Sequence, residues 1–341
     1  MRRMAGPLIV GIDGLELSGQ WRDVLHHPAI GGVILFSRNF ASVEQLRDLI
    51  TEIRELKSPR LLVTVDQEGG RVQRFKGPEL TPLPALGLIG RWFETRPDRA
   101  RDLAYRHGRV MAAEMLALGV DLSWAPVLDL DRGSSVIGDR ALAHDPDTVI
   151  DLAGFYVAGM KDAGMAACGK HFPGHGSVEA DSHTEVVTDP RSRSELEQDV
   201  RPFAAMAGRL AAVMMAHVRY PAVDERPAGF SPRWIAEELR QTLGFRGLVV
   251  SDDLDMAGAA PAGDLSRRLA ETFKAGCELA LVCKPQSVLS ILDAASGLPP
   301  LPVDALAPLY GRPMLSMPEQ LMVPEFRAWR ESLQLLTREQ Q

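Results

Sequence analysis

Apolar residues along this chain follow two rhythms. Short, nearly uninterrupted runs occur at Leu8–Asp13, Gly32–Phe36, Leu61–Glu68, Val120–Leu130, Ala166–His171, Ala211–His217, Leu248–Asp252 and Glu278–Cys283, eight in all. Such runs predict parallel strands covered on both faces. Between them, apolar positions recur every three or four residues. That spacing predicts helices over roughly 42–57, 98–118, 147–163, 192–207, 232–243, 264–275 and 286–295, and a last one over about 324–338. After Ser42, for example, Leu46, Leu49, Ile50, Ile53 and Leu56 fall on one helical face. Ser42 and Asp147 read as N-caps, and Ser231-Pro232 reads as an N-cap followed by proline at the first helical position.

Eight β/α alternations predict an α/β chain closed into a single (β/α)8 TIM barrel. Residues 1–341 are read as one catalytic domain with a C-terminal helical extension from about 300. Leu298–Pro308 is proline-rich and reads as a loop. The competing architecture is an open doubly wound sheet. Its glycine-rich nucleotide turn is missing, because the first strand runs into Ile12-Asp13-Gly14-Leu15-Glu16 without G-x-G-x-x-G.

Composition narrows the function. The 341 residues are 45% hydrophobic and 24% charged, as in an ordinary globular protein. A formal net charge of -7, with no lysine or arginine run, argues against nucleic acid as a partner. Cys168, Cys277 and Cys283 are too few for a disulfide framework and fit a cytoplasmic protein. The short apolar stretch after Arg2-Arg3 contains Pro7 and reads as a strand, not a leader. No segment approaches the length of a membrane span.

In such a barrel the site is built at the C-terminal strand ends. Here those ends are polar. They carry Asp13, Asp66-Gln67-Glu68, Asp129 and Asp131, Lys170-His171, His217, and Ser251-Asp252-Asp253, whereas the strand starts show no matching carboxylates or imidazoles. One pole therefore concentrates ionisable groups, as a site does.

The loop after the fifth strand reads Lys170-His171-Phe172-Pro173-Gly174-His175-Gly176-Ser177-Val178-Glu179-Ala180-Asp181-Ser182-His183. Two chemistries fit it. His171, His175, His183 and His217 could ligate zinc, which would make the protein a metal-dependent hydrolase. Alternatively Asp181 orients His183 and favours its protonated form, which suits a group that donates and then retrieves a proton. Gly174 and Gly176 are expected to let this loop move. Along the seventh strand Leu248, Val250 and Asp252 share a face, with Asp253 opposite or binding a backbone amide. An aspartate at the barrel mouth can attack an anomeric carbon. A glycan-binding protein without catalysis is the third class. It is disfavoured because nucleophile and acid/base candidates are both present.

Together the runs Gly31–Asn39, Val65–Arg74, Lys170–Gly176, Asp181-Ser182-His183 and Ser251-Asp252-Asp253-Leu254 resemble family-three glycoside hydrolases, and within them the bacterial β-N-acetylhexosaminidases of peptidoglycan recycling. The resemblance runs from the first strand to about residue 285. It implies that Asp252 is the nucleophile and that His183 is the general acid/base with Asp181 as its partner. It further implies that Asp66, Arg74, Arg140, Lys170 and His171 bind N-acetylglucosamine. It implies no metal and no organic cofactor, a small muropeptide substrate, and a single-domain cytoplasmic monomer. The usual member has serine where this chain has Asp255. Trp124 is the one tryptophan whose position near a strand end makes sugar stacking worth considering.

Overall fold

The computed structural model describes residues 3–178 and 187–340. Eight parallel strands form its centre: β1 (Leu8–Gly11), β2 (Ile30–Leu35), β3 (Leu62–Val65), β4 (Leu122–Ser123), β5 (Cys168–Phe172), β6 (Ala212–Met215), β7 (Leu248–Asp253) and β8 (Leu279–Val282). Each strand lies beside its neighbours in sequence, and β8 pairs with β1. The ring closes between β4 and β5. There Cys168 N–H donates to Ala125 O at 2.8 Å, Lys170 N–H to Pro126 O at 3.2 Å, and Leu128 N–H to Lys170 O at 2.7 Å. The architecture is the (β/α)8 barrel.

The fourth strand is shorter than its apolar run of Val120–Leu130. Only Leu122–Ser123 pairs regularly, because Pro126 has no N–H to give to a ladder. Trp124, in this segment, is fully buried and donates its indole N–H to Thr64 Oγ1 at 3.1 Å, so it is core rather than a sugar platform. Helices surround the barrel. They include Val43–Glu55, Pro97–Leu118, Pro146–Ala163, Arg193–Met206, Leu265–Ala275 and Pro285–Ala295. Ser42 caps the first of these by accepting Gln45 N–H at 3.1 Å. The helix expected from Asp147 starts one residue earlier. Its cap is Asp145, which accepts Thr148 N–H at 2.8 Å, while Pro146 takes the first helical position. Ser231 does accept Trp234 N–H, but the helix that follows, Arg233–Thr242, is wound in the wider π form.

Periodicity alone missed Gly19–His26, an eight-residue helix capped by Ser18. The proline-rich stretch near 300 is more ordered than a loop. Leu301–Pro302 pairs antiparallel with Met4–Ala5, and Val303–Leu306 is a helical turn. The final helix, Pro324–Gln340, sets Phe326, Leu333 and Leu336 into the same apolar cluster as the barrel. Among the described residues, no helix is long and apolar enough to cross a membrane.

Candidate active site

The C-terminal strand ends enclose a cleft of about 520 Å³. Its lining brings together Asp66 and Glu68 after β3, Arg74 from the turn beyond, Arg140 from the short helix Gly138–Arg140, Lys170 and His171 on β5, and Asp252 and Asp253 on β7. The binding candidates and the proposed nucleophile thus share one concavity. Asp181 and His183 lie outside the described residues. On either side of them the chain is fixed: Ser177 Oγ donates to Asp189 Oδ2 at 2.5 Å, and Val187–Thr188 pairs with Val218–Arg219.

The glycines before this segment sit in close contact with neighbouring backbone and side chains. A Cβ on Gly176 would stand 1.7 Å from Leu130 O, and one on Gly174 would stand 2.7 Å from Asp199 Cβ. The backbone at these two residues is pressed against its neighbours.

An ion network forms the floor of the cleft. Lys170, whose side chain is 2% exposed, donates to Asp66 Oδ1 at 2.8 Å and to Glu68 Oε1 at 2.6 Å. Arg140 grips Glu68 in a fork, Nε to Oε2 at 2.8 Å and Nη2 to Oε1 at 2.9 Å. Burial works against a charge on Glu68, but Arg140 and Lys170 outweigh it and hold this carboxyl well below the usual range. Burial likewise disfavours the Lys170 ammonium, and Asp66 and Glu68 reverse that, so its pKa is raised.

Among the described residues, this network is not saturated. An ammonium carries three N–H donors, and Lys170 uses two of them among the described residues. Asp66 Oδ2 has no hydrogen-bond partner among the described residues, and Arg74 stands 3.9 Å from it, beyond hydrogen-bond reach. Donor and acceptor capacity for a polyhydroxylated ligand therefore remains in the cleft.

His171 is oriented from behind. Its Nδ1–H donates to Asp129 Oδ2 at 2.7 Å, which turns Nε2 away from that carboxylate. Asp129 also accepts the backbone N–H of His175 at 2.7 Å. Burial would raise the Asp129 carboxyl, yet His171 and these hydrogen bonds lower it.

Asp252 is the last residue but one of β7, and its Oδ1 accepts Asp253 N–H at 2.8 Å. Its carbonyl oxygen lies 3.2 Å from Nε2 of His217, a ring stacked on Phe230 at 5.2 Å. β7 does not stop at Asp252. A register shift against β8 between Val250 and Asp253 carries the strand one residue further and places Asp253 in the same cleft. Asp253 Oδ1 accepts the N–H groups of Asp255 and Cys283, at 3.1 and 3.0 Å. Burial first, then Asp255 and Asp252, push its pKa up to about 7. The unusual Asp255 is absent from the cleft lining. It acts on Asp253 and accepts Lys284 N–H at 2.8 Å.

Three functional positions exceed the sequence reading: Glu68 as hub of the ion network, Asp129 as the partner of His171, and His217 behind Asp252. All three stood in the polar strand ends. Nothing in a single sequence distinguishes the carboxylate that receives two cations. Zinc chemistry gains no support from these contacts. His171 Nδ1 is committed to Asp129 and His217 Nε2 to a backbone carbonyl. Among the described residues no three histidines, cysteines or carboxylates converge as metal ligands.

The sequence model of the "Glycosyl hydrolase family 3 N terminal domain" matches residues 9–299. The chain belongs to glycosyl hydrolase family 3. It is a glycoside hydrolase, and the cleft at the C-terminal pole is its candidate catalytic centre. Among curated relatives it is 52% identical over 316 residues to a beta-hexosaminidase of Alkalilimnicola ehrlichii, covering 92% of this chain and 90% of that one. It is 49% identical over 311 residues to a beta-hexosaminidase of Thioalkalivibrio sulfidiphilus, covering 90% and 89%. Among solved structures, NagZ from Neisseria gonorrhoeae in complex with N-trifluoroacetyl-D-glucosamine superposes with a TM-score of 0.90 at 39% identity, covering 98% of this chain and 99% of that one. The same neisserial protein is also known in complex with zinc ion.

Proposed function

We propose that this family 3 enzyme is a β-N-acetylhexosaminidase. It hydrolyses terminal, non-reducing β-linked N-acetylglucosamine from peptidoglycan fragments, the GlcNAc-anhydroMurNAc-peptides of cell-wall recycling in the cytoplasm. The observation that carries the reading is Asp252. It is a carboxylate on a rigid strand end, in one cleft with Asp66, Arg74, Arg140, Lys170 and His171. The relatives named beta-hexosaminidase and the neisserial complex with an N-acylated glucosamine support the choice of sugar.

The reaction is a retaining double displacement. An oxygen of the Asp252 carboxylate bonds to C1 of the sugar as the C1–O bond to the leaving group breaks. His183, held by Asp181, gives the departing oxygen its proton. Water then attacks C1, His183 takes back a proton, and the bond to Asp252 breaks. Asp66 and Lys170 hydrogen-bond the sugar hydroxyls, with Arg74, Arg140 and His171 completing the grip. Asp252 must be ionised for this attack.

The test is hydrolysis of a chromogenic N-acetyl-β-glucosaminide, against the matching β-glucoside and with chelator added. Hydrolysis of the first, little of the second, and indifference to chelator are expected. Turnover that disappears with chelator would return the protein to the metal-dependent class.

A further inference from the structure

The proposed nucleophile sits on an irregular stretch of β7. Val250 pairs with Leu279 and Asp253 pairs with Leu281, so β7 spends one residue more than β8 over the same span. The extra residue makes a bulge, and a bulge re-aims the side chains beside it. In an unbroken strand Asp252 and Asp253 would face opposite sides of the sheet. Here both line the cleft.

A bulge disrupts the backbone ladder, and at this point side chains of β7 reach across to β8. Ser251, fully buried, accepts Leu281 N–H through Oγ at 3.1 Å. Leu281 O in turn accepts Leu254 N–H at 2.9 Å. Asp253 Oδ1 accepts Cys283 N–H at 3.0 Å and Asp255 N–H at 3.1 Å. Two side-chain acceptors thus bind β8 or the residue after it, one from each neighbour of Asp252.

The backbone they bind is itself fixed. Leu281 pairs with Ile9 of β1. Arg38 donates to Cys283 O at 2.8 Å and to Ile12 O at 2.9 Å, which ties the end of β8 to the end of β1. The restraint reaches the nucleophile in one step, because Asp252 Oδ1 accepts the peptide N–H of Asp253 at 2.8 Å. Asp253 Oδ1 is spent on two backbone amides, which suits holding rather than reacting.

We propose that Ser251 and Asp253 are positioning residues for the nucleophile: from either side of Asp252 they fasten β7 to β8, and so hold the bulge that turns its carboxylate into the cleft. The proposal rests on Asp252 as the nucleophile of the hexosaminidase reading. What the two residues supply is precision, since misplacing a reacting group by about 1 Å costs about 10²-fold in rate.

The measurement is kcat and KM on an aryl N-acetyl-β-glucosaminide, per folded molecule as judged by circular dichroism, with Kd for N-acetylglucosamine beside it. The assay is run at about pH 6. Burial, then Asp255 and Asp252, push the Asp253 pKa up to about 7, so asparagine is a close replacement there. Asp253→Ala should lower kcat about 10²-fold, with KM changed less than about threefold. Asp253→Asn, which keeps an oxygen for both amides, should recover most of that loss. Ser251→Ala should lower kcat about tenfold, and it carries the test if Asp253→Ala folds poorly. The Kd for N-acetylglucosamine should stay near the wild-type value in all three. A kcat within about threefold of wild type in either alanine variant would overturn the role of that residue. A loss in Asp253→Ala that asparagine does not recover, or one that falls on KM and Kd instead of kcat, would overturn the positioning role. Normal turnover by Asp252→Ala, or no cleavage by the wild type, would instead remove the reading beneath the proposal.

Discussion

The two poles of the barrel both bury charge, and they do it differently. At the N-terminal pole Asp121, just before β4, is fully buried. Its carboxylate accepts Arg60 through Nη1 and Nη2 at 2.7 Å each, Arg54 at 3.0 Å, Val63 N–H at 3.0 Å and Gly311 N–H at 3.2 Å. Glu278, before β8, is likewise held by Arg240 at 2.7 Å and by Val249 N–H at 2.6 Å. These strand-start carboxylates correct the expectation that only one pole carries them. At the C-terminal pole Asp66, Glu68, Lys170 and Arg140 are also paired, but among the described residues Lys170 keeps an unused donor and Asp66 an acceptor oxygen without a hydrogen bond. A saturated cluster contributes stability and fastens elements together. An unsaturated one at the edge of a cleft retains interactions for a ligand. Saturation, rather than the number of charges, separates structure from site.

Substitutions at the two poles should therefore part company. The largest effect is expected for Asp252→Ala, with kcat on an aryl N-acetyl-β-glucosaminide falling roughly 10⁴-fold or more and the urea midpoint nearly unchanged. Asp121→Ala should do the reverse. Removing an acceptor shared by two arginines and two backbone amides should cost about 2–3 kcal/mol, discounted because Arg54 and Arg60 are about a third exposed. The kcat of the folded fraction should stay put, as urea unfolding and active-site titration would show. A tenfold or greater fall in kcat for Asp121→Ala would blur the contrast between the poles.

Lys170→Ala should raise KM about 10- to 100-fold, the loss of charge-assisted hydrogen bonds, with a smaller change in kcat. The smallest effect concerns Asp253. Its folded pKa of about 7 lies above its ordinary value, so its stabilising contribution is complete at acid pH below that ordinary value and is lost as pH rises through about 7. Asp253→Asn keeps the acceptor for the Asp255 and Cys283 amides. The variant's urea midpoint, relative to wild type, should climb between pH 5 and 8. A flat difference would mean Asp253 is already ionised at pH 5.

Much of the barrel was readable because parallel strands and amphipathic helices write different periods. The helices Pro97–Leu118 and Arg193–Met206 lie within a residue of their expected ends. The failures have local causes. Pro126 cut a continuous apolar run to a two-residue strand. Asp145 and Asp147 flank the same proline, and both carry a cap side chain, so the choice between them depends on backbone geometry. Site composition was legible as a set, because strand ends converge in this fold whatever their register. The hierarchy within it was not. Glu68 and Asp129 gain their roles from partners 72 and 42 residues away. The strand-start carboxylates were passed over because Asp121 and Glu278 each stand alone in sequence, with arginines supplied by other elements.

The most direct test traps the enzyme with a fluorinated N-acetylglucosaminyl substrate analogue and maps the labelled peptide by mass. Asp252 is expected to carry the sugar, as a single adduct that disappears on prolonged incubation as activity returns. Turnover blocked with no adduct, or an adduct on another residue, would contradict the assignment of Asp252 and with it the distinction drawn between the poles.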